Sequence, residues 1–199
     1  MSRPLSLRLE TAAFMILSMV GSGGPSRASQ TPAATASVRD IDGHRFNLVG
    51  QDTKAEVLFF ITTDCPIANS YLPEINRIVT GYAPRKIAFY AVYTDPTISL
   101  PAIRKHAQEF GLRIPLIPDA THDLVHRVGA TVTPEVAVLN EGGKLVYRGR
   151  IDDWYVDFGK RRSAPTRRYL QQALDAVLSG KPVAIPNVDP IGCSIFEAP

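Results

Sequence analysis

The sequence predicts an α/β fold in which one mixed β-sheet carries helices on both faces. Two continuous apolar runs of strand length, 56–62 and 86–95, flank a segment of helical periodicity, which is the order of a βαβ unit with parallel strands. Further along, a Gly-Gly turn joins two strand-like runs, and an amphipathic helix follows them. A parallel unit that ends in an antiparallel hairpin and a covering helix makes a mixed sheet.

The first half of the domain begins with a short hairpin. The segment SVRDIDGHRFNLVG predicts two edge strands with Asp42 and Gly43 in the turn. The run EVLFFIT is apolar almost throughout, so we expect a central strand that is buried on both faces. Apolar residues then recur at helical spacing after Cys65, and Pro66 suits the first turn of a helix.

The second half alternates helices with a hairpin. Residues 99–111 predict a helix that is capped by Ser99, and residues 119–130 predict a shorter one. Residues 133–151 read as two strands around a Gly-Gly turn. Residues 165–180 carry one apolar stripe at helical spacing, and Gly180 marks the end of that helix.

The chain divides into four segments. Residues 1–28 combine basic residues, a short apolar run and small residues at a cleavage point, which is the pattern of a signal peptide. Residues 29–37 form a flexible linker, 38–180 the folded domain, and 181–199 a proline-rich, irregular tail. No other stretch approaches the length of a membrane span. We therefore expect export to the periplasm or the exterior, without stable membrane insertion after cleavage.

Composition excludes several classes of function. Apolar residues make up 45% of the 199 residues and charged residues 21%, as in a globular protein. The formal charge of +3 falls to about +1 without residues 1–28, because 19 basic and 18 acidic residues remain. A nearly neutral protein has no long-range attraction for nucleic acid, so we expect no nucleic-acid partner.

Cys65 is the candidate nucleophile. It follows the end of the central strand and opens the next helix, so its sulfur is expected at the carboxyl edge of the sheet, where ligands gather in α/β folds. The unpaired N–H groups and partial positive charge of a helix N-terminus favour a thiolate there, although the neighbouring Asp64 opposes it. The alternative is a buried structural cysteine.

The junction FFITTDCP and the hairpin GATVTPEVAVLNEGGKLVYRG, in this element order, resemble the peroxiredoxin-like redoxins of the thioredoxin fold. This is the broad alkyl-hydroperoxide-reductase/thiol-specific-antioxidant family, and the resemblance covers residues 38–180. It implies a thioredoxin-like fold with a central mixed sheet, a closing antiparallel hairpin and a C-terminal helix. It also implies that Pro134 is a cis-proline that faces Cys65, and that Thr62 helps to bind the oxidant and to stabilise the thiolate.

The sequence also departs from the family pattern. Peroxiredoxins carry Pro-x-x-x-Thr-x-x-Cys, in which Thr62 is matched but Leu58 replaces the proline. Their active-site arginine falls near Thr133, where no arginine stands. Arg148 or Arg150 in the hairpin is the available substitute. These departures weaken the expectation of efficient peroxidase chemistry.

The second sulfur is missing from its usual place. Thioredoxins have a cysteine where Ala68 stands, and Cys193 is the only other thiol in the chain. Some peroxiredoxin relatives resolve the oxidised cysteine with a distant C-terminal one, so the resemblance implies a functional pair of Cys65 and Cys193. Such a bond requires Cα atoms within about 7 Å. An inert tail cysteine and a purely structural disulfide are the alternatives.

The connection 152–168 is longer than the fold needs and mixes acidic, aromatic and basic residues. Trp154, Tyr155 and Phe158 are candidates to pack over the sulfur or to form a partner surface. The plainer interpretation, which the pattern favours, is a solvated helix start with local ion pairs.

A metal site is the main rival interpretation. Sco-type copper chaperones share the expected fold, and Cys65 and Cys193 with a histidine would make a soft site for Cu(I). His122 and His126 lie four residues apart and share a helix face, but such a pair more often faces solvent. We predict no metal site and no cofactor.

Together these features predict an exported thiol-based oxidoreductase. The substrate is a peroxide or a protein thiol or disulfide, and a thiol compound is the reductant. The predicted catalytic residues are Cys65, Thr62, Pro134 and Cys193. The predicted substrate-binding residues are Pro66, Thr133 and Trp154. A Sco-like copper-binding chaperone and a redox-inactive thioredoxin-like docking module are the alternatives.

Overall fold

The computed structural model describes residues 37–48 and 52–196. The predicted signal peptide and nearly all of the predicted linker lie outside these residues. The α-helices in the described part are α1 (Pro66–Tyr82), α2 (Leu100–Glu109), α3 (Asp123–Val128) and α4 (Tyr169–Leu178), and a short 3-10 helix, Ala83–Arg85, follows α1. The strands in the same part are β1 (Ser37–Arg39), β2 (Arg45–Asn47), β3 (Ala55–Ile61), β4 (Ile87–Tyr93), β5 (Leu116–Pro118), β6 (Val132–Thr133), β7 (Glu135–Asn140), β8 (Leu145–Gly149), β9 (Tyr155–Asp157), β10 (Lys160–Arg161), β11 (Asn187–Val188) and β12 (Cys193–Ser194).

The main sheet is mixed, as the sequence predicts. Its strand order is β11-β8-β7-β3-β4-β5. Strand β3 pairs in parallel with β4 and antiparallel with β7, and β7 and β8 form the closing hairpin. The predicted hairpin of β1 and β2 and the C-terminal helix α4 are also confirmed. No helix in the described ranges is both long enough and apolar enough to cross a membrane.

Two apolar layers enclose the central strand, every residue of which is buried. Phe59 and Ile61 face one layer, which includes the inner faces of α1, α2 and α4. Leu58 and Phe60 face the other layer, which includes α3. Full burial of such a side chain contributes about 1.5–3 kcal/mol, so this alternation holds β3 rigidly in place.

Helix α1 begins directly behind this strand. Cys65 is its N-cap residue, and its φ of −82° and ψ of 109° are extended, while Pro66 occupies the first helical turn. The buried face of the helix follows the spacing that the sequence predicts, with Tyr71, Leu72 and Ile75 in the core. Strand β3 and helix α1 together fix the position of Cys65 at the junction between them.

The C-terminal tail is more ordered than the sequence predicts. Strand β11 pairs in parallel with β8, and β12 pairs antiparallel with β6. Gly149 permits this approach, because it has a φ of 136° and an added Cβ would overlap the backbone of Val188. The prediction of an irregular tail is therefore wrong at these two strands, which satisfy backbone groups that β8 and β6 would otherwise expose.

Four further strands, β5, β6, β9 and β10, were not predicted. Strand β5 extends the sheet beside β4, but it is short, Pro115 precedes it and Pro118 is its last residue, which hides its pattern. Strands β9 and β10 form a small hairpin inside the connection 152–168. That connection is therefore structured rather than a simple start of α4.

Candidate redox site

Cys65 lies at the carboxyl end of β3 and is buried, with 1% of its surface exposed. Its Sγ accepts a hydrogen bond from the backbone N–H of Ala68 at 3.4 Å, and its carbonyl accepts one from the N–H of Asn69 at 2.9 Å. The sulfur therefore takes the place of the oxygen that usually caps a helix. A thiolate at this position is stabilised by the helix N-terminus.

Cys193 is bonded to Cys65 in a disulfide that spans 128 residues of sequence. The two Cα atoms are 6.0 Å apart, within the distance that the sequence argument requires. Strand β12 positions Cys193, because its backbone pairs with Thr133 in the loop that faces the start of α1. The tail thus supplies the sulfur that is absent at Ala68.

The loop that faces the disulfide contains the predicted cis-proline. The Thr133–Pro134 peptide bond is cis, which confirms that prediction. The carbonyl oxygen of Thr133 lies 3.0 Å from Cys65 Sγ, and the Thr133 side chain is fully buried. A disulfide sulfur carries no proton, so this is a close contact in the oxidised state; a Cys65 thiol can donate a hydrogen bond to the same oxygen.

Thr62 and Pro66 flank the sulfur in sequence, but they do not contact it through hydrogen bonds. Thr62 is half-buried between β3 and α1, and Pro66 is exposed on the first turn. In the described part of the chain, the sulfur's partners at hydrogen-bond distance are Ala68 and Thr133. The roles predicted for Thr62 and Pro66 therefore remain predictions.

The two candidate arginines make other contacts. Arg148 donates to the carbonyls of Val128 and Gly129 and forms an ion pair with the buried Glu135 at 3.3 Å. Arg150 donates to the carbonyls of Tyr155 and Asp189. Arg150 therefore ties the tail to the connection after β8.

Aromatic residues of the connection 152–168 pack on α1 beside the site. The hydroxyl of Tyr71 donates a hydrogen bond to Asp152 at 2.7 Å, and the backbone N–H of Trp154 donates one to the same carboxylate at 2.8 Å. The rings of Trp154 and Tyr155 lie 5.5 and 5.8 Å from that of Tyr71. Burial raises the pKa of Asp152 even though both hydrogen bonds oppose the rise.

A second buried carboxylate, that of Asp153, joins the start of this connection to its end. Asp153 accepts hydrogen bonds from the backbone N–H groups of Thr166 and Arg167 and from the Thr166 hydroxyl. Burial alone would raise the pKa of Asp153, but these hydrogen bonds outweigh it and lower the pKa. The interpretation as a solvated helix start with local ion pairs is therefore wrong for Asp152 and Asp153, which are buried, but it holds for residues 156–164, which are exposed and include the Lys160–Asp157 ion pair.

Sequence reasoning missed a buried polar chain behind the junction. His106 of α2 lies between the Tyr93 hydroxyl, 3.0 Å from Nδ1, and the Asn69 side-chain oxygen, 2.9 Å from Nε2. The Asn69 amide donates in turn to the carbonyl of Thr63 at 2.9 Å. Burial lowers the pKa of His106, which favours a neutral ring. The only sequence signal was that Asn69 follows Cys65 by four residues, which is one helical turn.

The histidines do not join the two sulfurs in a metal site within the described residues. His122, expected to face solvent, is completely buried, and its Nε2 donates to the carbonyl of Thr94 at 2.7 Å. His126 is exposed, as expected. In the same part of the chain, the side chains at metal-ligand spacing are Asp40, Asp42 and His44, which include neither cysteine.

A mixed sheet with α1 starting at a buried cysteine, opposite a cis-proline, defines a thioredoxin-like protein of the α/β class. Comparison with known proteins agrees with this class. The pattern of the AhpC/TSA family matches residues 29–148, more than half of the sequence. The chain belongs to the AhpC/TSA family.

Individual relatives are more distant. The thiol-disulfide oxidoreductase ResA of Halalkalibacterium halodurans is 22% identical over 110 residues, which are 55% of this chain and 61% of ResA. The chain thus spans less than two thirds of the curated relatives that it matches.

Solved structures share the fold over a larger part of the chain. A hypothetical protein of Sinorhizobium meliloti 1021 has a TM-score of 0.71 and 29% identity over 83% of this chain and 92% of its own. A secreted disulfide oxidoreductase of Mycobacterium tuberculosis has a TM-score of 0.51 and 16% identity over 73% of this chain and 96% of its own.

Proposed function

We propose that this chain is an exported thiol–disulfide oxidoreductase in which Cys65 is the nucleophile and Cys193 is the resolving cysteine. The observation that carries the proposal is the Cys65–Cys193 disulfide at the N-terminus of α1, opposite cis-Pro134. The similarity to ResA and to a secreted disulfide oxidoreductase supports the same chemistry. Thr62 and Pro66 complete the edge of the site in this proposal, as the family resemblance implies.

The first step forms a mixed disulfide. In the reduced protein, the Cys65 thiolate attacks one sulfur of a substrate disulfide, whose S–S bond breaks. The other substrate sulfur leaves as a thiolate and takes up a proton. The N–H of Ala68 holds the attacking sulfur in line at the helix start.

The second step releases the substrate. The Cys193 thiolate attacks Cys65, forms the intramolecular disulfide and displaces the second substrate sulfur. The substrate gains two electrons and the protein loses two. A thiol reductant restores the dithiol, and the same steps in reverse oxidise a substrate dithiol.

An extracytoplasmic location fits this chemistry. Disulfides persist in oxidising compartments, and residues 1–28 carry a signal-peptide pattern. The relative from Mycobacterium tuberculosis is secreted. We therefore place the protein in the periplasm or outside the cell, acting on protein thiols or disulfides.

The test is the reactivity of Cys65 in the reduced protein. The protein is titrated with a small disulfide and, separately, with hydrogen peroxide, and mass spectrometry follows both thiols in the wild type and in Cys193→Ser. We expect rapid formation of the Cys65–Cys193 bond with the disulfide in the wild type. In Cys193→Ser we expect a trapped mixed disulfide at Cys65.

Two results would overturn the proposal. If Cys65 reacts no faster than a free thiol, the proposal that the protein is an oxidoreductase with Cys65 as its nucleophile is wrong. Fast reaction with peroxide alone, with a trapped sulfenic acid in Cys193→Ser, would make the protein a peroxidase instead.

A further inference from the structure

The turn between β3 and α1 is held by one residue of the helix, Asn69. The side-chain amide of Asn69 donates a hydrogen bond to the carbonyl of Thr63 at 2.9 Å, and its backbone N–H donates one to the carbonyl of Cys65 at 2.9 Å. Thr63 precedes Cys65 by two positions, so Asn69 binds the chain on both sides of Asp64. These two bonds hold the turn that delivers Cys65 to the start of α1.

The chemistry of the groups fixes the direction of the hydrogen bonds behind this turn. A backbone carbonyl can only accept, so Asn69 presents its NH₂ group to Thr63 and its oxygen to His106. An amide oxygen also can only accept, so Nε2 of His106 carries a proton. Burial lowers the pKa of His106 and favours the neutral ring, so Nδ1 carries no proton and accepts from the hydroxyl of Tyr93. His106 is therefore the Nε2–H tautomer.

This chain of hydrogen bonds is anchored in the core at its far end. Tyr93 is completely buried at the end of β4, and His106 on α2 has 5% of its surface exposed. The imidazole ring also packs on the ring of Phe110, with the two centroids 4.9 Å apart. Because burial keeps water away from the hydroxyl and the imidazole, their hydrogen bonds are made within the protein, and they hold the amide of Asn69 in one orientation.

The position of the Cys65 sulfur depends on the same turn. Cys65 Sγ accepts from the backbone N–H of Ala68 at 3.4 Å, because Cys65 has the extended φ and ψ of an N-cap residue. If the turn is released at Thr63, Cys65 can leave that conformation, and its sulfur then moves away from the positive end of α1. The thiolate that attacks a disulfide is stabilised by that helix end.

We propose that Asn69 is a positioning residue for Cys65, that the Nε2–H of His106 holds Asn69 in place, and that the pair keeps the attacking thiolate at the N-terminus of α1. The inference rests on the proposed function, since it concerns the nucleophile of the same site. The sulfur's partners at hydrogen-bond distance in the described part of the chain include neither side chain, so both act through the backbone between Thr63 and Cys65.

The experiment uses the reduced full-length chain carrying Cys193→Ser, in which Cys65 is the only thiol. The ultraviolet absorbance of the thiolate, followed against pH, gives the acid dissociation constant of the Cys65 thiol. Dithiodipyridine reports its reactivity: Cys65 attacks one sulfur of the probe, the S–S bond breaks, and a coloured thiopyridone leaves. Asn69→Ala should lower the acid dissociation constant by about threefold to tenfold, and the midpoint of the exchange rate against pH should move higher by the same factor.

Asn76→Ala is the matched control. Asn76 also lies on α1, and its side-chain amide donates to the carbonyl of Phe110 at 2.9 Å, more than one turn of helix further from the sulfur. Its loss removes the same kind of bond as the loss of Asn69. We therefore expect a similar decrease in the free energy of unfolding, with the acid dissociation constant of Cys65 unchanged.

Variants of His106 test the second member of the pair. His106→Leu removes the donor to Asn69 and should reproduce the effect of Asn69→Ala, whereas His106→Gln supplies an N–H donor and should restore the parent value. His106→Leu combined with Asn69→Ala should shift the acid dissociation constant no further than Asn69→Ala does, because His106 acts through Asn69. If Asn69→Ala does not fold, the comparison of His106→Leu with His106→Gln carries the same test.

The outcomes separate the inference from the function on which it rests. An unchanged acid dissociation constant in Asn69→Ala, with fast exchange in the parent chain, would overturn the positioning role and leave the oxidoreductase intact. Equal shifts in Asn69→Ala and Asn76→Ala would assign the effect to lost stability and would also overturn the role. Additive shifts in the double variant would overturn the coupling of His106 to Asn69. Slow exchange in the parent chain would overturn the oxidoreductase itself.

Discussion

The two sulfurs of one bond lie in opposite settings. Cys65 is part of the core and is held between a strand buried along its whole length and a helix of 17 residues. Cys193 is half-buried and belongs to a strand of two residues that pairs with another strand of two residues. Few buried contacts hold the strand that carries Cys193. Local opening of that strand therefore costs less free energy than local opening of β3 and α1 around Cys65.

This difference suits the roles of the two cysteines in the proposed catalytic cycle. The nucleophile must keep its geometry while substrates change, and the resolving cysteine must leave and return. A rigid first sulfur and a lightly held second sulfur meet both needs. The predictions below test this contrast, beginning with the largest expected effect.

Removal of each sulfur in turn should give unequal results. Cys65→Ser should lower the rate of disulfide exchange by about a hundredfold, because the remaining thiol, Cys193, does not lie at the helix N-terminus that stabilises the Cys65 thiolate. Cys193→Ser should retain the first step and accumulate the mixed disulfide. Single-turnover kinetics with a small disulfide measure both, and equal loss in the two variants would contradict the assignment of roles.

Crowding the tail should weaken the bond without disturbing the core. In Gly192→Val the added side chain overlaps Thr133, so we expect the equilibrium constant for the Cys65–Cys193 disulfide against glutathione to fall by about tenfold to a hundredfold. The matched control is Gly81→Ala in α1, where an added Cβ meets no atom within 4 Å. The control should raise the free energy of unfolding by about 0.5–1 kcal/mol and leave the disulfide equilibrium unchanged. An unchanged equilibrium in Gly192→Val would mean that the tail is not closely seated.

Asp152 links the aromatic residues of the connection 152–168 to α1, the helix that begins at Cys65. Asp152→Ala should lower the free energy of unfolding by about 1–3 kcal/mol, because Tyr71 and Trp154 lose a buried acceptor. Asp152→Asn keeps an acceptor oxygen and removes a buried charge, so its effect at pH 7 should be below about 1 kcal/mol. Denaturant titration measures both, and equal effects would show that the charge matters more than the hydrogen bonds.

The same carboxylate predicts a pH dependence. Burial raises the pKa of Asp152 in the folded protein above its ordinary value of 3.8. The folded state therefore binds this proton more readily, and the contribution of Asp152 to stability grows as the pH falls through the folded pKa. Asp152→Asn should lack this contribution, which a comparison of the two stability curves would detect.

His106 should produce the smallest effect, with the opposite sign. Its pKa is lowered by burial from 6.5, so the unfolded chain takes up the proton first as the pH falls. Stability should decline below pH 6.5, and this decline should be shallower in His106→Gln. An unchanged slope in His106→Gln would show that the ring does not govern the stability of the junction.

Local patterns of the sequence determined the α/β class, the order of β3, α1, β4 and the closing hairpin, and the position of Cys65 at a strand–helix junction. Periodicity and capping act over a few residues, so they can be read along the chain. The cis-proline at Pro134 also followed from the sequence, through the family resemblance. The tail strands and β5 could not be predicted, because a strand of two or three residues is too short to show a periodic pattern in the sequence.

Only the tertiary structure decided that Cys193 bonds to Cys65 and is not an inert tail cysteine, since that bond joins residues 128 positions apart. It likewise decided that Asp152 and His122, polar residues expected at the surface, are buried with hydrogen-bond partners. Burial and pairing depend on the neighbours that folding supplies. A polar side chain in a sequence does not show whether water or another residue will satisfy it.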